Sequence, residues 1–179
     1  GSEMCIRDRL AACNDTYKDS VLPEHHRFLF DGLDTLMDSF LVRAVGRVRA
    51  INRHGATKMM RNILSLQQNL KNIVAAPLGV NLEQSKRLWS LVSREPEQWF
   101  GTLRASRPEY PFEVYLAVLQ LCLGVDREAP VNTDATEMPR VPRAGTTART
   151  SVSRQAYDAL VRELHALVEE PEVQVAQAS

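Results

Sequence analysis

Three aspartates, Asp31, Asp34 and Asp38, fall at i, i+3 and i+7, a spacing that lines carboxylates along one side of a helix. Paired carboxylates do acid–base work when a cleft raises one of their pKa values. The plainer reading is a solvated acidic face, and it is preferred. The histidines, His25, His26, His54 and His165, form no i, i+4 pair, and none neighbours a cysteine. No metal site is expected from them. Of the cysteines, Cys122 lies inside an apolar run and reads as a small core residue rather than a nucleophile. The glycine spacings of a P-loop or a dinucleotide loop are absent, as are G-x-S-x-G and HExxH. No catalytic residue, cofactor or small-molecule substrate is predicted.

Charge placement says more. The chain has 179 residues, with 22 basic and 22 acidic side chains. This balance gives no reason to expect nucleic-acid binding, and aromatics are too few for base stacking. From Ser39 to Leu82, however, there is no acid at all. Arg43, Arg47, Arg49, Arg53, Lys58, Arg61 and Lys71 all lie in that span. Arg43 with Arg47, and Arg49 with Arg53, are like-charged i, i+4 pairs, which mildly destabilise their own helix. Two occupants fit such a patch: an acidic face of a partner protein, or an anionic membrane surface. A solvated patch, or pairing with the chain's own acids, is the plain alternative. No apolar run approaches the length that spans a bilayer. The odd cysteine count without a CxxC suits a reducing compartment.

The elements that position these groups read as helices throughout. The central one is Lys58–Ile73, with a core stripe at Met59, Ile63, Leu66, Leu70 and Ile73. Steps of four, three, four and three trace one helix face. Before it, Pro23 to about Ile51 reads as one long helix, with apolar residues wide enough to be covered on more than one side. Asn52–Gly55 reads as a short connection with glycine after the helix end, making the two helices antiparallel neighbours. Asn81 caps a third helix in a capping-box pattern with Gln84. Pro96 starts a fourth. Phe112–Leu123 is apolar nearly all round, and Gly124 stops it. Residues 125–150 read as a flexible linker, with three prolines, five threonines and no sustained period. Residues 151–170 form a last helix, striped at Ala156, Leu160, Leu164 and Leu167, and 171–179 read as a frayed tail. The class is all-α, an antiparallel helical bundle over 10–124. Residues 1–9 are set apart: Gly1–Asp8, GSEMCIRD, resembles a translated sequencing adapter rather than native sequence, so the chain is expected to be a fragment.

The segment MMRNILSLQQNLKNI at Met59–Ile73 resembles the C-terminal end of the exocyst component four family. HHRFLFDGLDTLMDSFLV at His25–Val42 extends the resemblance backwards, and a weaker likeness continues to about Val125. It implies the distal part of a helical rod in a vesicle-tethering complex that acts at the plasma membrane before fusion. It also implies no enzymatic activity, no cofactor, a cytoplasmic location peripheral to sites of secretion, and other exocyst subunits as partners. Animal members can end in a PDZ-binding peptide. Gln177-Ala178-Ser179 lacks the hydrophobic last residue, so that contact is not expected here. The alternative reading is a peripheral module that binds anionic lipid through the Arg43–Lys71 patch.

Overall fold

The computed structural model describes residues 6–73, 80–126, 136–140 and 152–169. The fold is all-α. In chain order the helices are α1 (Ile6–Tyr17), α2 (Pro23–Phe30), α3 (Leu33–Ala44), α4 (Arg53–Ile73), α5 (Glu83–Leu91), α6 (Pro96–Ala105), α7 (Phe112–Leu123) and α8 (Arg154–Glu169). A single 3-10 turn, Val45–Arg47, continues α3. The first residues of α1, Ile6–Arg9, belong to the adapter-like stretch; the rest of that stretch, like the tail 171–179, lies outside the described residues.

The single helix expected from Pro23 to Ile51 is broken twice. Gly32 stands between α2 and α3 at φ +70°, in the left-handed region that L side chains avoid. After the 3-10 turn the backbone becomes extended at Val48. Nor is this region covered on all sides. Leu29 and Leu36, expected to widen the buried stripe, and Phe40, expected within it, are each more than half exposed. One side of α3 packs on α5, and that side carries Asp38 and the partly buried Met37 and Leu41. Asn52–Gly55 differs in the same way. These residues start α4 rather than end the helix before it. The Asn52 side-chain oxygen accepts from Gly55 N–H at 2.7 Å, an N-cap that satisfies one of the unpaired donors of the first turn.

The core forms where α4, α5, α6 and α7 meet. Ile63, Leu66, Leu70 and Ile73 of α4 are buried, and Met59 is partly buried against the same core. Trp89 on α5, Trp99 and Phe100 on α6, and Val118 and Leu119 on α7 fill the centre. Trp99 stacks on Tyr115 at 6.1 Å between ring centroids and meets Phe100 edge-on at 4.5 Å. The continuous apolar surface of α7 is used on several sides: Val45 packs near it from the 3-10 turn, and α8 lies along it. Gly124, at φ +70°, closes α7, and its N–H bonds back to the helix. Cys122 is buried, with Sγ 3.6 Å from the Leu91 carbonyl, as a core residue.

The linker expectation for 125–150 falls mostly outside the described residues. Those that are described are tied down. Asp126 N–H donates to Pro139 O at 2.8 Å, Met138 N–H to Val152 O at 3.1 Å, and Arg154 N–H to Thr136 O at 2.8 Å. These bonds bring 136–140 between the end of α7 and the start of α8. Ser153 Oγ accepts from Ala156 N–H and caps α8. Leu164 and Leu167 then bury the inner face of α8 against α6 and α7.

Candidate functional site

The aspartates that opened the sequence reading do not form an acidic face in water. Asp38 is only 8% exposed, and its carboxylate sits at the N-terminus of α5. Oδ1 accepts from Ser85 N–H at 2.8 Å and Oδ2 from Gln84 N–H at 3.3 Å. Asp34 Oδ2 accepts from Asn81 N–H at 3.3 Å. Asn81 itself accepts from Glu83 N–H at 2.9 Å. The expected capping box is therefore replaced. Asn81 takes one donor of the first turn, and the next two go to a carboxylate brought in from α3. A negative group there also complements the positive end of the α5 dipole.

The favour is returned at the other end of α3. Trp89 Nε1–H on α5 donates to Leu41 O at 2.9 Å, one of the four carbonyls that α3 cannot satisfy internally. Asp38 lies beside Ser85 and Leu41 beside Trp89, so α3 and α5 run side by side in the same sense. Each supplies a side chain to an end of the other.

Of the seven cations, the six whose side chains are described stand in different settings. Arg49 is held by Asp126, with Nε 3.3 Å from Oδ1 and the terminal nitrogen 2.8 Å from Oδ2. Asp126 is nearly buried there, while the Arg49 side chain stays about half exposed. Arg43 and Arg47 are exposed at the end of α3 and in the 3-10 turn. Lys58, Arg61 and Lys71 are exposed on α4, whose rise of about 1.5 Å per residue spreads them over about 20 Å. The Arg53 side chain lies outside the described residues. On the polar face of α4, Gln67 Nε2–H donates to Val80 O at 3.0 Å and Asn69 Nδ2–H to Ser65 O at 2.7 Å, while Gln68 is exposed. These amides bond to backbone and form no shared network.

An apolar strip was missed by the sequence reading. Phe28 (81% exposed) and Leu29 on α2, with Leu36 and Phe40 (56% exposed) on α3, lie open on the surface. Leu36, Phe40, Arg43 and Arg47 follow at steps of four, three and four, so Arg43 and Arg47 continue the strip of α3. The signal was present as an excess of apolar residues around the helix; what it lacked was any sign of which side would be covered.

Among the described residues, the remaining titratable groups show no reactive arrangement. His26 Nε2 lies 2.9 Å from Asn14 Oδ1, and His165 packs edge-on to Phe112. Burial pushes the phenols of Tyr110 and Tyr115 upward, with Glu109 beside Tyr110 adding to the effect. Both therefore stay protonated at neutral pH and serve as hydrogen-bonding groups. Tyr110 Oη–H donates to Gln84 O at 2.6 Å, and Tyr115 Oη accepts from Glu109 N–H at 3.1 Å. Among the described residues there is no cluster of three metal-ligating side chains, and no helix is long and apolar enough to cross a membrane.

No family model matches the chain. Individual relatives do. Exocyst complex component 4 of Drosophila melanogaster is 28% identical over 116 residues, which is 65% of this chain and 12% of that protein. Its namesake in Dictyostelium discoideum is 31% identical over 122 residues, 68% of this chain and 10% of that protein. The human one is 34% identical over 64 residues, 36% of this chain and 7% of that protein. The chain thus spans about a tenth of the length of these relatives. Over about two thirds of its length, it is similar to exocyst complex component 4 of Drosophila melanogaster and of Dictyostelium discoideum.

Proposed function

We propose that this chain is a non-enzymatic packing module of an exocyst subunit, and that its exposed apolar strip on α2 and α3 docks against other subunits of the complex. The similarity to exocyst complex component 4 carries the reading. Leu36 and Phe40, exposed one turn apart on α3, support it, because neighbouring large apolar side chains left on a surface mark contact sites. In this reading the complex tethers secretory vesicles to the plasma membrane, and the chain sits peripherally at sites of secretion. The test is a pull-down of the full-length protein carrying Leu36→Asp and Phe40→Asp, read by mass spectrometry. Wild-type protein recovers the other exocyst subunits, and the double variant, folded to the same melting temperature, loses at least one. Equal recovery removes the strip from the interface; recovery of no exocyst subunit by the wild type removes the reading itself.

A second reading has a specific observation behind it. Arg43 and Arg47 continue the line of Leu36 and Phe40, and an apolar strip ending in cations suits an anionic membrane surface. Co-sedimentation with phosphatidylserine vesicles that survives near-physiological salt, and is lost in Arg43→Glu with Arg47→Glu, supports it. No co-sedimentation leaves the docking reading alone.

A further inference from the structure

We propose that the cleft between α5 and α6 binds an aliphatic side chain with a carboxylate beside it, as presented by an acidic–hydrophobic segment of a partner protein. This cleft is separate from the α2–α3 strip, and the proposal does not depend on exocyst membership. Its volume is about 210 Å³. Small-molecule and cofactor pockets are commonly about 300–1,000 Å³, so the size suits one or two side chains better. Leu91, Leu103 and the rings of Trp99, Tyr110 and Tyr115 make its apolar lining.

The polar groups around that lining are unbalanced towards donors. Glu109 is engaged by Arg87, at 2.7 Å. Ser90 Oγ–H donates to Arg87 O at 2.7 Å, and Ser106 Oγ–H to Thr102 O at 2.9 Å, so these hydroxyl protons are used within their own helices. Tyr110 Oη–H already donates to Gln84 O. Tyr115 Oη accepts from Glu109 N–H, and the cationic donors left are those of two arginines. Arg94 and Arg107 line the cleft, exposed, with no ion pair among the described residues. Trp99 Nε1–H is buried without any acceptor. Cations with no ion pair beside an apolar wall make the cleft incomplete without an anionic partner, and the Trp99 ring, whose own N–H is sealed from solvent, forms part of that wall. A ligand group that only accepts hydrogen bonds and carries negative charge completes it, and guanidinium pairs with carboxylate in good geometry. The apolar wall supplies the second requirement, an aliphatic side chain next to that charge.

The two tryptophans make the test direct. Trp89 Nε1–H is already bonded to Leu41 O, and its indole resonance in a ¹⁵N-labelled sample is an internal reference for that of Trp99. The probe is the acetylated, amidated tripeptide Asp-Leu-Asp at millimolar concentration, added to the whole chain. The expected result is a saturable shift of the Trp99 indole signal with the Trp89 signal unmoved. Affinity falls about tenfold for Asn-Leu-Asn, for Asp-Ala-Asp, and for the Arg94→Glu, Arg107→Glu protein with Asp-Leu-Asp. Equal affinity for Asn-Leu-Asn overturns the charge requirement, and equal affinity for Asp-Ala-Asp overturns the aliphatic one. A matching shift with inorganic phosphate reduces the cleft to a general anion site and overturns the proposal, as does an unmoved Trp99 signal.

Discussion

At the scale of single residues, Asp38 shows how far local pattern and tertiary role can part. Its spacing with Asp31 and Asp34 is a helix-face spacing, and a helix face of carboxylates ordinarily points to water. Its two hydrogen bonds run to backbone 46 and 47 residues away, and no local signal encodes that distance. The role predicts a cost. Asp38→Ala leaves the N–H groups of Gln84 and Ser85 without an acceptor and removes a negative charge from the start of a helix. The expected loss is about 2 kcal/mol, measured as a lowered urea midpoint with unchanged slope. Asp31, which makes none of these bonds, is the control: Asp31→Ala stays within about 0.5 kcal/mol.

At the scale of elements, the most regular pattern was the most legible. The α4 stripe, Ile63, Leu66, Leu70 and Ile73, is buried as its spacing requires, and the apolar run of α7 ends at the glycine that its sequence marks. Leu70→Ala is expected to cost about 2–5 kcal/mol, because Leu70 is fully buried between packed helices and leaves a cavity. Leu64→Ala, one position off the stripe and half exposed, should cost under about 1 kcal/mol. Thermal or urea unfolding of the pair checks both; equal losses would mean that α4 packs on another face. The long helix before α4 was misread because periodicity continues across a break. Leu29, Phe30, Leu33, Leu36 and Phe40 keep a helical rhythm through Gly32, while the left-handed backbone at that residue redirects α3. The apolar excess on α2 and α3 was visible, but which side is covered depends on where α5 lies.

At the scale of the whole molecule, two long-range ties hold the ends of the core. One is the exchange of caps between α3 and α5. The other is the Arg49–Asp126 pair, 77 residues apart in sequence, which fastens the extended stretch after the 3-10 turn to the exit from α7. Asp126 is buried and Arg49 half exposed, so the two are not equivalent. Arg49→Ala removes a bidentate cation from a buried carboxylate and should cost about 2 kcal/mol. Adding Asp126→Asn to that variant should restore part of the loss, because the buried charge itself is gone. A double-mutant cycle in urea reads this coupling. Losses that simply add would show that the pair contributes no mutual stabilisation. The cation patch expected from the sequence is split by the same pairing: Arg49 faces an acid of the chain itself, while Arg43 and Arg47 stay with the exposed apolar strip.

The sequence by itself determined what is periodic and what is forced by backbone chemistry. The helices, the α4 seam, the buried α7, its stop at Gly124 and the start of α6 at Pro96 follow from side-chain spacing, from glycine's freedom and from proline's fixed φ. Tertiary structure alone decided which polar groups meet. Asp38 with α5, Arg49 with Asp126, the open strip of Leu36 and Phe40, and the donor-rich cleft beside Trp99 all arise from neighbours distant in the chain. Apolar periodicity is encoded within a few residues of each position. Complementary charge and hydrogen bonding require a partner, and only the folded chain brings the two together.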